Sequence, residues 1–288
     1  MNILFFGTPE FAKDTLDTLE EKGIIPTCVV TAEDKPVGRK MVLTPPPAKV
    51  WAEARNIPVV QLKTLRTEKA FTELLAHGPF DVGIVSSYGK IIPKNILDLP
   101  KKGMLNIHPS LLPLHRGASP IQSTILSGDS FGVSIILLDE EMDHGPILAQ
   151  EEIARDILPQ DAYRDVAEKT LAKKGALMLV DVLQAWVENT QPTTEQNHTE
   201  ATFCKKIQKS DGEVDLEKDT PQEIVHKVRA FAGWPGTFFF TLYNGIKIRV
   251  LITKADLKDG LLVLQSVKPE GKNEMSYEDF IRGNQSAK

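Results

Sequence analysis

Two polar residues, Asn106 and His108, lie in an otherwise apolar run that includes Met104, Leu105 and Ile107. Such a run is typical of a buried strand, in which side chains alternate between the two faces of the sheet. Residues two apart share a face, so both polar side chains are expected together at the strand's carboxyl end, where open α/β sheets carry their sites. Burying a polar group there costs free energy unless the group is hydrogen-bonded or takes part in the function. A structural hydrogen-bonded pair and a catalytic pair both remain open.

An acidic loop follows another predicted strand, at residues 133–138. Its last acid, Asp143, is followed directly by His144-Gly145, a flexible turn. A carboxylate that reached His108 would orient the imidazole ring and stabilise its positive charge. The alternative is an ordinary solvated run of acids.

Together, Asn106, His108 and Asp143 offer an amide donor, an imidazole and a carboxylate, a set that suits acyl transfer to an amine. The amide and a protonated imidazole can donate hydrogen bonds to the oxyanion of a tetrahedral intermediate. The carboxylate can hold the imidazole and help to remove the amine's proton. This chemistry requires no Ser or Cys nucleophile.

The composition narrows the possible classes of protein. The chain has 288 residues, a net charge of −5 and two cysteines. No apolar run approaches the roughly 20 residues that span a bilayer, and the first residues read as a strand rather than a signal peptide. No Cys/His cluster has metal-ligand spacing. We therefore expect a cytoplasmic protein with no membrane segment and no metal.

The pattern of elements predicts two domains. Residues 1–189 alternate strands and helices, which predicts an α/β fold with a doubly wound, mainly parallel sheet. Residues 190–204 are polar and aperiodic and are interpreted as a linker. Residues 205–288 are expected to form a smaller β-rich domain with strands near 237–242, 246–252 and 260–267. Its turn dipeptides are Asn244-Gly245 and Asp259-Gly260.

Several motifs resemble the formyltransferases that use formyl-tetrahydrofolate, and most closely the branch that acts on methionyl-tRNA. The resemblance extends over nearly the whole chain, and the Asn-x-His…Asp-x-Gly set is specific for the superfamily. It is carried by the stretches Asn106-Ile107-His108-Pro109-Ser110-Leu111-Leu112-Pro113, Arg116-Gly117-Ala118-Ser119-Pro120, Gly132-Val133-Ser134 and Asp143-His144-Gly145.

The resemblance implies a one-carbon transferase with 10-formyltetrahydrofolate as co-substrate and initiator methionyl-tRNA as acceptor, serving translation initiation. It implies that Asn106, His108 and Asp143 are catalytic. It also implies that the folate contacts are Ser110, Leu111, Leu112 and Pro113. The C-terminal domain would be OB-like and shortened around residues 254–259, which alone connect two of its strands, and the protein would act as a monomer.

A basic loop favours tRNA over other acceptors. From residue 35 to 52 the chain has four basic residues and no acid, namely Lys35, Arg39, Lys40 and Lys49. Residues 1–200, with this loop included, carry 27 acidic against 20 basic residues, so the loop is a local footprint for phosphate. The alternatives are a solvated loop, a sugar-nucleotide formyltransferase with the same chemistry, and a non-catalytic tRNA- or folate-binding protein.

Overall fold

The computed structural model describes residues 1–38, 40–243 and 245–285. These form two compact units. The first comprises residues 1–120, 131–153 and 168–203, and the second comprises residues 121–130, 154–167 and the chain from 204 onward. Within the described residues, no helix combines the length and apolar character that crossing a membrane would require.

A seven-stranded sheet forms the centre of the first unit. Its strands are β1 (Ile3–Gly7), β2 (Cys28–Thr31), β5 (Val59–Gln61), β6 (Val82–Ser86), β7 (Met104–His108), β9 (Gly132–Leu137) and β10 (Ile147–Glu152). They lie in the order β10-β9-β7-β6-β1-β2-β5. The five neighbouring strands β7, β6, β1, β2 and β5 run parallel to one another. Strand β9 is antiparallel to β7, and β10 is antiparallel to β9. The predicted mainly parallel α/β fold is confirmed.

The chain before α7 forms further strands, helices and turns. The remaining strands before the C-terminal region are β3 (Lys35–Val37), β4 (Val42–Thr44), β8 (Arg116–Gly117) and β11 (Phe203–Cys204). The helices are α1 (Glu10–Glu21), α2 (Pro47–Glu53), α3 (Glu68–Leu75), α4 (Lys94–Leu97), α5 (Pro120–Ser127) and α6 (Arg164–Val187). Short 3-10 turns occupy His198–Glu200 and Lys209–Gly212.

Apolar packing on both faces fixes the sheet. On one face, Leu4 and Phe6 pack with Leu74 of α3 and Ile96 of α4. On the other, helix α6 comes so close that a Cβ on Gly175 would overlap the Ile107 side chain. Strands buried on both sides read as continuous apolar runs, which is why the sequence shows them clearly.

The second unit contains a four-stranded antiparallel sheet. Its strands, in spatial order, are β12 (Thr237–Tyr243), β13 (Ile246–Lys258), β14 (Leu261–Pro269) and β15 (Met275–Ser276). Helices α7 (Pro221–Ala230) and α8 (Tyr277–Gln285) complete it, and Ile224, Val250 and Phe280 belong to its core. The predicted smaller β-rich C-terminal domain is confirmed.

Strand β13 is longer than the sequence indicated. Residues 254–258, expected to form a short connection, continue the strand beyond an irregularity near Lys254. The turn to β14 is Asp259-Gly260 alone, with φ of 52° and 77°, the left-handed geometry that a tight hairpin needs. The expected connection at 254–259 is therefore wrong for all but Asp259, because residues 254–258 pair with β14. Asn244, placed in the other turn dipeptide, lies outside the described residues.

The contact between α6 and β7 yields a stability prediction. Gly175→Ala places a methyl group against Ile107 Cγ2 and 3.1 Å from Val133 Cγ1. Overpacking of this kind costs about 1–3 kcal/mol, whereas alanine's higher helix propensity returns only about 1 kcal/mol. We expect a net loss in the free energy of unfolding, measured by urea denaturation. Lys173→Ala, exposed on the same helix, is the control and should change stability by less than about 0.5 kcal/mol. A Gly175→Ala protein as stable as wild type would contradict this close approach.

Candidate active site

Strand β7 positions Asn106 and His108. It lies between β6 and β9, with Asn106 in register with Val85 and Ile136. Both side chains are nearly buried, Asn106 at 8% exposure and His108 at 3%. Because they are two residues apart in a paired strand, they point to the same face at the strand's end, as the sequence predicted.

The imidazole of His108 has two distinct neighbours. Its Nε2 lies 3.1 Å from the backbone oxygen of His115. Its Nδ1 lies 3.7 Å from Oδ1 of Asp143. A carbonyl oxygen can only accept, so Nε2 carries the proton in this hydrogen bond and Nδ1 is the nitrogen that faces Asp143.

This arrangement differs in one respect from the sequence expectation. The sequence led us to expect that Asp143 would orient the ring. The hydrogen bond that orients the ring is instead the one that Nε2 donates to the backbone oxygen of His115, a residue held at φ 60°. Asp143 stands at ion-pair distance from Nδ1.

Asp143 joins the other two members of the cluster. Its Oδ1 accepts a long hydrogen bond from Asn106 Nδ2, at 3.4 Å. Its Oδ2 accepts a hydrogen bond of 2.8 Å from the backbone N–H of Gly117 in β8. Asp143 adopts a left-handed φ of 49°, and a Cβ on Gly145, two residues later, would overlap the Leu137 carbonyl oxygen. The structure therefore brings Asn106, His108 and Asp143 together.

The stretch from Ser110 to Pro113 follows β7 and is held in place by the neighbouring strands. The hydroxyl of Ser134 donates to the Ser110 oxygen at 2.7 Å and accepts from the Leu112 N–H at 3.1 Å. Gln150 of β10 donates to the Leu112 oxygen at 2.7 Å. The Ser110 hydroxyl donates to the backbone oxygen of Leu114 at 2.6 Å. The Leu112 side chain is buried. Leu111 and Pro113 are partly exposed, which leaves their side chains accessible to a ligand.

The basic loop forms the hairpin of β3 and β4. Lys35 and Lys40 are exposed, and Arg39 lies outside the described residues. Lys49 belongs to α2 and is largely buried, with its ammonium 2.9 Å from Asp34. Hydrogen bonds from Gln61 and from Lys49 lower the pKa of the Asp34 carboxyl. The charge of Lys49 is thus already balanced within the unit, unlike those of Lys35 and Lys40.

Two polar residues that the sequence analysis did not assign a role lie against the cluster. Arg116 is 3% exposed and donates to Oε1 of Gln196, from Nε at 3.1 Å and from Nη2 at 2.6 Å. Gln196 belongs to the stretch interpreted as a linker, which within the first unit packs beside β8. The Arg116-Gly117 match within the family motif was the one sequence signal for this contact.

Other chemistry finds less support in this unit. Cys28 is fully buried, and burial raises the pKa of its thiol to about 12, so it is not poised as a nucleophile. Across the described residues, no group of three or more His, Cys, Asp or Glu side chains is placed to hold a metal ion. The concentration of donors and acceptors near the end of β7 makes it the strongest candidate site.

The chain matches known protein families over most of its length. Residues 1–183 match the family described as "Formyl transferase", and residues 206–258 match "Formyl transferase, C-terminal domain". Methionyl-tRNA formyltransferase of Caldicellulosiruptor saccharolyticus is 38% identical over 98% of this chain and 97% of its own length.

Solved structures show the same fold. Methionyl-tRNA formyltransferase from Clostridium thermocellum superposes with a TM-score of 0.61 at 18% identity, over 96% of this chain and 99% of its own. A 4-N formyltransferase from Francisella tularensis gives 0.64 at 22% identity, over 89% and 98%. From the extent of the family match and the near end-to-end similarity to the Caldicellulosiruptor protein, the chain belongs to the formyl transferase family.

Proposed function

We propose that the protein transfers the formyl group of 10-formyltetrahydrofolate to the amino group of initiator methionyl-tRNA, giving formylmethionyl-tRNA for translation initiation. The observation that carries the proposal is the cluster of Asn106, His108 and Asp143 at the carboxyl end of β7. The acceptor is supported by the full-length similarity to a methionyl-tRNA formyltransferase.

The chemistry follows from the polarity of the three groups. The methionyl nitrogen attacks the formyl carbon, and the carbonyl oxygen becomes an oxyanion. The Asn106 amide and the protonated Nδ1 of His108 donate to that oxygen, in a setting where burial strengthens each hydrogen bond. Asp143, at ion-pair distance from Nδ1 of His108, accepts the proton that the amine loses. The bond from the formyl carbon to N10 of the folate then breaks, and N10 takes up the proton.

The folate and the tRNA are assigned to separate surfaces. Folate contacts fall on the stretch of Ser110, Leu111, Leu112 and Pro113. Since the Ser110 hydroxyl is bonded internally, Leu111 and Pro113 supply side-chain contacts and the others maintain the backbone. Residues 1–189, together with the segment 190–204, carry the chemistry, and residues 205–288 help to hold the tRNA. The protein acts as a cytoplasmic monomer.

The decisive assay is formyl transfer from radiolabelled 10-formyltetrahydrofolate by the purified protein. Initiator methionyl-tRNA, a UDP-amino sugar and glycinamide ribonucleotide are offered separately and then together. We expect label on the tRNA and none on the two small acceptors. Label on the sugar nucleotide instead would replace the proposed acceptor, and folate binding without transfer to any acceptor would favour a non-catalytic binding protein.

Removing any member of the cluster should abolish most of the activity. We expect Asn106→Ala, His108→Ala and Asp143→Ala each to lower kcat by about a hundredfold or more, the usual effect of deleting an oxyanion donor or an acid–base group. Single-turnover transfer to methionyl-tRNA measures the loss, and circular dichroism verifies folding. His77→Ala, at the end of α3, is the matched histidine control and should retain wild-type turnover. Normal turnover in a folded His108→Ala protein would remove His108 from the mechanism.

The hairpin should contribute to tRNA use through its basic side chains. The triple variant Lys35→Ala/Arg39→Ala/Lys40→Ala is expected to lower kcat/KM for methionyl-tRNA at least about tenfold, or 1.4 kcal/mol. The slope of log kcat/KM against log salt concentration should also become less negative by about two, because each lost phosphate contact removes about 0.7–0.9 from the slope. Folate binding should not change.

A control of equal charge separates a local contact from the overall field. Lys63, Arg66 and Lys69 are exposed. Their triple alanine variant also removes two lysines and one arginine, and so the same amount of charge. Lys49→Ala gives a second comparison, which should affect tRNA use less than Lys40→Ala because its ammonium is paired with Asp34. Equal losses in both triple variants would show that the hairpin makes no specific contact.

A further inference from the structure

The side-chain amide of Gln196 makes four hydrogen bonds within the first unit. Its Oε1 accepts two from the Arg116 guanidinium. Its Nε2 donates to the backbone oxygen of Asp143 at 2.9 Å and to that of Gly145 at 2.7 Å. The residue is 5% exposed. Both amide protons and the oxygen are thus used at a site that excludes most water.

The partners fix the orientation of this amide. A guanidinium only donates and a backbone carbonyl only accepts, so the oxygen must face Arg116 and the nitrogen must face the Asp143 loop. Arg116 is itself held, since its Nη2 contacts Nδ1 of His198 at 2.8 Å and its backbone N–H donates to the Thr202 oxygen at 2.9 Å. Gln196 therefore connects a rigid support to the loop that bears Asp143.

The loop needs such a support because of its backbone conformation. Asp143 has a φ of 49°, in the left-handed region that a non-glycine residue occupies at a cost of order 1 kcal/mol or more. The two Gln196 hydrogen bonds hold the carbonyl of Asp143 itself and that of Gly145, two residues on. Relaxation of the loop would move the carboxylate from its place beside Asn106 and His108.

We propose that Gln196 is a positioning residue for formyl transfer. It holds the backbone of Asp143 so that the carboxylate stays at ion-pair distance from His108 Nδ1, without itself touching the substrates. The inference rests on the proposed function for its kinetic consequence. Its structural consequence, the environment of His108, does not depend on the identity of the acceptor.

Gln196→Glu tests the role with little change in size. One carboxylate oxygen keeps and strengthens the contact with Arg116, whereas the other replaces an N–H₂ group and faces two carbonyl oxygens. We expect the folded protein to show a kcat at least about tenfold lower with little change in the KM for methionyl-tRNA. Its pH–rate profile should shift, because the spacing of His108 and Asp143 changes. Gln191→Glu, in the same segment and bonded to the Leu148 oxygen, is the matched control and should leave both unchanged.

A substrate-free readout keeps this test separate from that of the proposed function. In protein labelled with ¹⁵N-histidine, the ring signals of His108, assigned with His108→Gln, should move in Gln196→Glu in the direction seen for Asp143→Asn. Gln196→Met, which lacks both hydrogen-bonding functions, serves if the glutamate variant does not fold. If the His108 signals move in Gln196→Glu but the wild-type protein does not formylate methionyl-tRNA, the positioning role is supported and the proposed acceptor is refuted. Unchanged His108 signals and kcat in either folded variant would overturn the inference.

Discussion

The geometry of the site depends on where the carboxylate of Asp143 is held. Its two oxygens contact two strands: Gly117 in β8 on one side, and Asn106 and His108 of β7 on the other. A hydrogen bond to a charged group contributes about 1.5–3 kcal/mol, which exceeds the roughly 1 kcal/mol lost to a left-handed backbone. The strained loop persists because these contacts, with those from Gln196 to the backbone, outweigh the strain.

The placement of Asp143 also links the two polar side chains of β7. Nε2 of His108 donates to the His115 oxygen, so Nδ1 is the nitrogen that faces the carboxylate. The same carboxylate oxygen, Oδ1, accepts a hydrogen bond from Asn106 Nδ2. The amide, the imidazole and the carboxylate are therefore connected through one oxygen atom of Asp143.

Local patterns revealed the framework, and long-range contacts remained hidden. The run around Asn106 and His108 identified its strand because both faces of β7 are buried. Strand β10 escaped prediction, since Gln150, Glu151 and Glu152 give it a polar character that an edge strand tolerates. The second half of β13 was missed because Lys254, Asp256 and Lys258 interrupt its apolar residues.

The sequence indicated the chemistry of the site better than it indicated the contacts that hold the site in place. The types and spacing of Asn106 and His108 pointed to one face, the acidic loop after the strand at 133–138 offered Asp143, and the family motif contains all three. Gln196 lies 53 residues after Asp143 in a polar segment without periodicity, so nothing local marked its contact with that loop. The His115 carbonyl is a backbone group, and any residue type at that position would offer it.

The claim that His108 and Asp143 act as one unit is tested most directly by a double-mutant cycle on the single-turnover rate of formyl transfer to methionyl-tRNA. The cycle compares wild type, His108→Ala, Asp143→Ala and the double variant, each verified as folded. Groups that act together are strongly non-additive. The account predicts that the double variant is about as slow as the slower single variant. A double variant slowed by the full product of the two single losses would show that the residues act independently and would contradict it.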